Sequence, residues 1–230
     1  LPRSTPAIRR ANKRLSISIR AAIIIACASS AVFSDSTATV IDTFSSCIKN
    51  RLPCGWQKFR DIKGVSLLHD SSNYFVRLQS EKDVESIGLK IRFNVHDFPQ
   101  LRWKWRVHAL PRGGRENVKK KNDSAAGVFV AFKGLYPFNK VLKYVWSATL
   151  PVGAVFRSPH SHNAMIFVVA SGSDSLNNWV IEQRNVLEDF LKAFGSQPPL
   201  VEGIAIQTDS DDTGSSACAD YDDFTVREYR

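Results

Sequence analysis

Between Thr208 and Phe224 the chain reads TDSDDTGSSACADYDDF, with six aspartates in one short stretch. Carboxylates this close repel one another, which favours a cation or basic side chains nearby. Asp209, Asp211, Thr213 and Asp220 fall at positions 1, 3, 5 and 12 of a loop register whose sixth position is Gly214. That spacing suits Ca2+, a hard cation held by oxygen ligands around a sharp glycine turn. Position 12 carries Asp in place of the longer Glu, and the flanks read as strands, so this is no EF-hand. Two other readings stay open: an acidic hairpin turn that is solvated or paired with arginine, and a pair of catalytic acids.

A second group of charges lies in LRWKWRV. On a strand, Leu101, Trp103, Trp105 and Val107 share one face, which reads as core, and Arg102, Lys104 and Arg106 share the other. Three cations two residues apart need acids on adjacent strands or an anionic ligand. The runs that could flank them, GVFVAF and LKYVWS, carry no acid, though Asp123 just precedes one. Tyr144 and Trp146 either share the core with the tryptophans or lie beside the cations. In the second arrangement the face suits an acidic sugar, Arg forking its carboxylate while a ring stacks on the pyranose.

His160 and His162, two apart in SPHSHNA, read as exposed loop residues, since no cysteine or acid nearby in sequence completes a metal set. The loop RGGRENVKKK is basic but lacks the interleaved aromatics that stack nucleic-acid bases, so it reads as solvated. Nucleophile elbow, P-loop, dinucleotide fingerprint and His-Glu-x-x-His are absent from the sequence.

The elements that must position these groups are short. Eight apolar runs separated by Gly, Pro, Asn and Asp predict strands: NYFVRLQS, GLKIRFNV, LRWKWRVHAL, AGVFVAF, LKYVWSATL, NAMIFVVAS, EGIAIQT and DFTVREY. The pattern is that of an all-β sandwich or barrel. One stretch differs: Val186, Leu187, Phe190, Leu191 and Phe194 have helical spacing, and Gly195 with Pro198-Pro199 supplies a stop. A single α-helix is expected near 182–194, with Arg184 tying it to the sheet or reaching a ligand.

The formal charge of +9 belongs to the first residues. Residues 1–34 hold six basic side chains and no acid, leaving 25 basic against 22 acidic, or +3, for residues 35–230. A global basic footprint for nucleic acid is thus excluded. The apolar segment Ala21 to Phe33 is 13 residues long, below the ~20 needed to span a bilayer. With Ala26-Cys27-Ala28 supplying a small-x-small cleavage site within it, the segment fits a secretory signal, removing residues 1–28. An organelle leader, or an anchor through residues 15–33, is the alternative. Residues 35–230 are expected to form one domain. Cys47 and Cys54 are close enough in sequence to bridge in an oxidising compartment, leaving Cys218 a lone thiol.

Taken together, LPCGW, PQLRWKWRV, NDSAAGVFVAF, LKYVWS, VVASG, WVIEQRNVLEDFLKAFGSQPP, GIAIQTDSDDTG and DYDDF resemble, in order, domain-of-unknown-function family 3047, found mainly in bacteria. The resemblance runs from Leu52 to Phe224 and implies a jelly-roll β-sandwich similar to carbohydrate-binding modules. It implies no established activity. In such sandwiches an Asp-Asp-aliphatic step often opens the last strand, here Asp222-Asp223-Phe224. The chain departs from the family at Asn122-Asp123, where paired aspartates are expected, and in its basic loop.

The function expected is non-catalytic binding of a glycan or other extracellular polymer by a secreted or periplasmic protein, with a preference for acidic polysaccharide. The expected ligand-binding residues are Arg102, Lys104, Arg106, Asp123, Tyr144, Trp146 and Arg184, with Ca2+ at Asp209, Asp211, Thr213 and Asp220. One alternative is a polysaccharide lyase or hydrolase using Tyr144, His160 or His162, Arg106 and Asp123. Another is an assembly protein that binds a protein partner.

Overall fold

A computed structural model describes residues 38–45, 48–49, 52–59, 63–71, 73–134 and 139–228, all within the unit 35–230. The leader and its Cys27, and also Cys47, lie outside the described residues. Cys54 is disulfide-bonded.

The described strands are β1 (Ala38–Asp42), β2 (Ile48–Lys49), β3 (Leu52–Pro53), β4 (Trp56–Lys58), β5 (Val65–Asp70), β6 (Asn73–Glu81), β7 (Val84–Phe93), β8 (Gln100–Ala109), β9 (Ala126–Phe132), β10 (Val141–Ser147), β11 (Val155–Arg157), β12 (Ala164–Ser171), β13 (Val180–Asn185), β14 (Val201–Asp209) and β15 (Ser216–Arg227). One helix, α1 (Val186–Phe194), separates β13 from β14. The fold is a jelly-roll β-sandwich. Its six-stranded sheet runs β13-β8-β15-β6-β5, with β1 also on β15, and its seven-stranded sheet runs β11-β12-β10-β9-β14-β7-β4. The pair β2-β3 stands apart as a third small sheet.

Alternation fixes which face of each strand enters the core. Leu101, Trp103, Trp105 and Val107 of β8 are buried, as expected. From the facing sheet come Ala126, Val128, Val130 and Phe132 of β9, Leu142, Tyr144 and Trp146 of β10, and Ile204 and Ile206 of β14. Trp103 meets Trp105 edge-on at 5.4 Å and lies 5.5 Å from Tyr144, while Trp105 meets Trp146 at 6.0 Å. Rings at such offsets gain about 1 kcal/mol per pair beyond the area they bury. Tyr144 and Trp146 therefore belong to the core and do not face the cations of β8.

All eight expected runs are strands, and the helix exists, but it starts later than its spacing suggested. Residues 182–185 pair with β8 as strand β13, and the helix begins at Val186. Asn185 caps it by accepting the N–H of Glu188 at 3.2 Å. Gly195, at φ 63°, ends it, donating its N–H to the Leu191 carbonyl. Val186 and Phe190 are buried.

Candidate functional site

Two of the three cations of β8, Lys104 and Arg106, find acid partners on β15. Asp220 pairs with Arg106 in register, and Asp222 with Lys104. The Asp220 carboxylate receives Arg106 at 2.7 Å and Arg77 of β6 at 2.6 Å, and His108 Nε2 lies 2.7 Å from it. Burial opposes ionisation of Asp220. Hydrogen bonds from Arg77, His108 and Arg106 overcome that and hold its carboxyl below the usual range. Lys104 reaches both Asp222 at 3.0 Å and Asp223 at 2.9 Å. Consecutive strand residues ordinarily point to opposite faces. Here a bulge between Asp222 and Thr225, with Asp223 at φ 54°, turns both carboxylates to one lysine.

For Lys104 and Arg106 the expectation of a basic face awaiting an anionic ligand is corrected accordingly, while Arg102 stands opposite Thr225 and Gln183, neither of them an acid. Strand β8 lies between β13 and β15, not beside β9 or β10, and β15 brings the acids. The rings that do lie on this face are Trp179 and Phe75, which sequence reasoning missed. Arg106 Cζ is 4.5 Å from the Trp179 ring centroid and 5.1 Å from that of Phe75, and Lys104 Nζ is 5.0 Å from Trp179.

The opening acidic stretch is mostly strand rather than a hairpin loop. Asp209 ends β14 in one sheet, Ser216 opens β15 in the other, and only 211–214 form a turn. This crossing separates the residues of the expected calcium register. Asp220 lies out along β15 among its arginines, while Asp209 and Asp211 are joined by Asp123, from the segment before β9. One carboxylate oxygen from each of Asp123, Asp209 and Asp211 lies within 4.8 Å of the others. Thr213 turns inward as a donor: its N–H and hydroxyl both go to Asp123 Oδ2.

Asp209 is 7% exposed; its Oδ2 accepts the Gln207 amide at 2.8 Å, and its Oδ1 has no partner among the described residues. Burial pushes its carboxyl up to about 7, with the charges of Asp211 and Asp123 adding to the rise and Lys143 and the backbone N–H of Asp211 opposing it.

These acids stand at one end of a cleft on the outer face of the seven-stranded sheet. The outward positions of its central strands are Gly88 on β7, Gly203, Ala205, Gln207 and Asp209 on β14, Gly127, Phe129 and Ala131 on β9, and Val141 and Lys143 on β10. Small residues leave a floor close to the backbone, and two hollows open over it. One, about 410 Å³, is lined by Phe129, Lys143, His160, Gln207, Asp209, Asp211 and Asp212, among others. The other, about 200 Å³, runs from Phe129 across Ala131, Ala205, Gly203 and Gly88 to Phe59. Phe129 borders both. Phe59 is 68% exposed, and its ring lies so close over Gly88 that a Cβ there would come within 2.3 Å of it. Lys143 places its ammonium 5.0 Å from the Phe129 ring.

The remaining expected site residues are dispersed. Arg184 grips Asp189 of α1 through Nε at 3.0 Å and a terminal nitrogen at 2.7 Å, and the Tyr144 hydroxyl donates to the same carboxylate at 3.0 Å. Both residues fasten the helix to the sheet. His160 does line the larger hollow, with Nε2 at 3.4 Å from Asp212, an acid brought to it only by the fold. His162 is exposed, and its carbonyl accepts Arg157. The hydrolase or lyase set of Tyr144, His160 or His162, Arg106 and Asp123 is not assembled: Tyr144 is in the core, and Arg106 lies on the other sheet's outer face. In the basic loop 112–121, Glu116 is buried and accepts the Ser147 hydroxyl at 2.6 Å, anchoring the exposed lysines 119–121.

The model of a family described as protein of unknown function (DUF3047) matches residues 55–225. No curated protein matches the chain. Among solved structures it is similar to the endoglucanase Cel12A from Rhodothermus marinus, at 11% identity over 84% of this chain and 95% of that one, with a TM-score of 0.44. It is also similar to the xyloglucanase domain of NopAA, a type three effector from Sinorhizobium fredii, at 10% identity over 76% and 94%, TM-score 0.43. A family 29 carbohydrate-binding module is similar at 16% identity over 83% and 85%, TM-score 0.40.

Proposed function

The chain belongs to the DUF3047 family, and we propose that it is a secreted or periplasmic protein that binds a glycan chain, without cleaving it, along the outer face of the seven-stranded sheet. The observation that carries this reading is the exposed Phe59 ring laid over Gly88, at the far end of a glycine- and alanine-floored cleft from Lys143, Gln207 and Asp209. Apolar rings over a smooth floor, with a few convergent polar groups, are what an elongated, hydroxyl-rich ligand needs for contact area and orientation. The basic face of β8 adds no argument for acidic polymers, because Lys104 and Arg106 are already matched by Asp222, Asp223 and Asp220. Neutral chains are therefore the first ligands to try. The disulfide at Cys54 supports an oxidising compartment. No helix among the described residues is long and apolar enough to cross a membrane.

Affinity electrophoresis against neutral and uronic-acid polysaccharides tests the reading, with wild type, Phe59→Ala and Phe129→Ala run together. Retardation by at least one polymer is expected, weakened about tenfold in each variant, the loss of one well-packed aromatic contact. Undiminished binding in both variants would move the site elsewhere. Release of reducing or unsaturated ends from the bound polymer would replace binding with catalysis.

A further inference from the structure

We infer that the chain binds a divalent, oxygen-seeking cation, Ca2+ in preference to Mg2+, between Asp123, Asp209 and Asp211 where β14 leaves the seven-stranded sheet. The inference is independent of glycan binding. It replaces the linear calcium register with a set that only the fold assembles.

Four observations carry it. The three carboxylates each bring an oxygen within 4.8 Å of the others. That separation is bridged by one ion whose bonds to oxygen are about 2.3–2.6 Å long. Next, Asp123 is fully buried and Asp209 nearly so, whereas Asp211 is exposed. The set is thus closed on the protein side and open toward the larger hollow, where water or a ligand hydroxyl completes a shell of six to eight oxygens.

Third, Asp209 Oδ1 is buried without a partner among the described residues, while Oδ2 is already used by Gln207. A buried carboxylate oxygen without a well-formed hydrogen bond costs free energy that a cation returns. Fourth, the ligand oxygens are held in place beforehand. Asp123 takes the N–H groups of Asp212 and Thr213 at 3.1 and 2.8 Å, which fixes both its own carboxylate and the turn that carries Asp211.

The other charges facing the site are few. Lys143 is the cation whose field reaches Asp209, and its ammonium is turned to the Phe129 ring. Asp212 accepts the Asn122 N–H and lies beside His160. The balance around the three carboxylates stays negative. Oxygen-only ligands select a hard ion over zinc or copper. Three carboxylates in an irregular array favour Ca2+ over Mg2+, which keeps most of its waters and demands near-octahedral geometry.

The test is calorimetric titration of Ca2+ and of Mg2+ into the full, chelator-treated chain, with melting curves alongside. The variants are Asp211→Asn, Asp209→Asn and, on an exposed loop away from the set, Asp174→Asn. One equivalent of Ca2+ is expected to bind with Kd of about 10^-4 M or tighter, and more tightly than Mg2+. The melting temperature should rise with Ca2+ and fall back with chelator. Asp211→Asn, at an exposed position that leaves the fold intact, should weaken binding at least tenfold, and Asp174→Asn should match wild type. Neither heat nor a melting shift at about 10 mM Ca2+ would overturn the inference, as would wild-type affinity in Asp211→Asn. Calcium binding without any polysaccharide binding would leave this inference standing and remove the other.

Discussion

Asp123 accepts both the backbone N–H and the hydroxyl of Thr213, ninety positions further along the chain. With the N–H of Asp212 as a third donor, this buried carboxylate acts as the clamp of the crossing from β14 to β15. Hydrogen bonds to a charged acceptor contribute more than neutral ones, and their loss strands buried donors. Asp123→Ala is expected to destabilise the protein by about 3 kcal/mol, and Asp123→Asn by less, because the amide oxygen still accepts. Urea denaturation of both variants checks the order.

The second prediction concerns Asp220, which Arg77, Arg106 and His108 surround. Removing the carboxylate leaves two guanidinium groups facing each other without a counter-charge. Asp220→Ala should cost about 3–5 kcal/mol. Because its folded pKa is depressed, its contribution is present above the ordinary carboxylate value, about 3.9, and is lost as pH falls below it. In acid titrations followed by circular dichroism, wild type should lose stability steeply below about pH 4. Asp220→Asn should show a shallower loss.

Glu182 has the opposite sign. Burial raises its carboxyl from 4.5 to about 7, with Arg184 pulling the other way. A folded state that holds its proton more tightly gains stability as pH falls through about 7, and the gain is complete below 4.5. Wild type should therefore melt at a lower temperature at pH 8 than at pH 5, and Glu182→Gln should remove part of that difference. Identical pH profiles for the two proteins would contradict the assignment.

Arg184 offers a fourth test. Its fork on Asp189 joins the end of β13 to α1, which begins at the next residue after the strand. Arg184→Ala leaves Asp189 buried with only the Tyr144 hydroxyl and should cost about 3 kcal/mol. Hydrogen exchange should quicken first in residues 186–194, because the helix loses its tie while the sheets keep their cores.

Strand alternation carried much of the architecture into the sequence. LRWKWRV announced its buried and outward faces because a period of two is local. Pairing is not local, and here the reading failed: β8 is flanked by β13 and β15, so the acids opposite Lys104 and Arg106 come from more than a hundred residues away. The same limit broke up the calcium register. Spacing offered Asp220, at the twelfth position of the register, whereas the fold brings in Asp123, far upstream. Trp179 and Phe59 were missed for another reason. Each sits outside a regular apolar run, so nothing in the pattern marked its ring for a face. The helix was drawn too long because VIEQRN is short enough to satisfy both a strand and the first turns of a helix.

Strand β15 lies between β8 and β6 and also carries β1. During synthesis the ribosome delivers Ser216–Arg227 after every other strand of that sheet, so until then β13-β8 and β5-β6 are separate ribbons with bare edges. The facing seven-stranded sheet has all its strands by Asp209, but the six-stranded sheet still lacks its centre, and β1 has nothing to pair with. Closure of the six-stranded sheet thus waits for its centre, a late, long-range event that makes for slow folding. A chain cut before Ser216 would present two unpaired edges, the kind that seed aggregation.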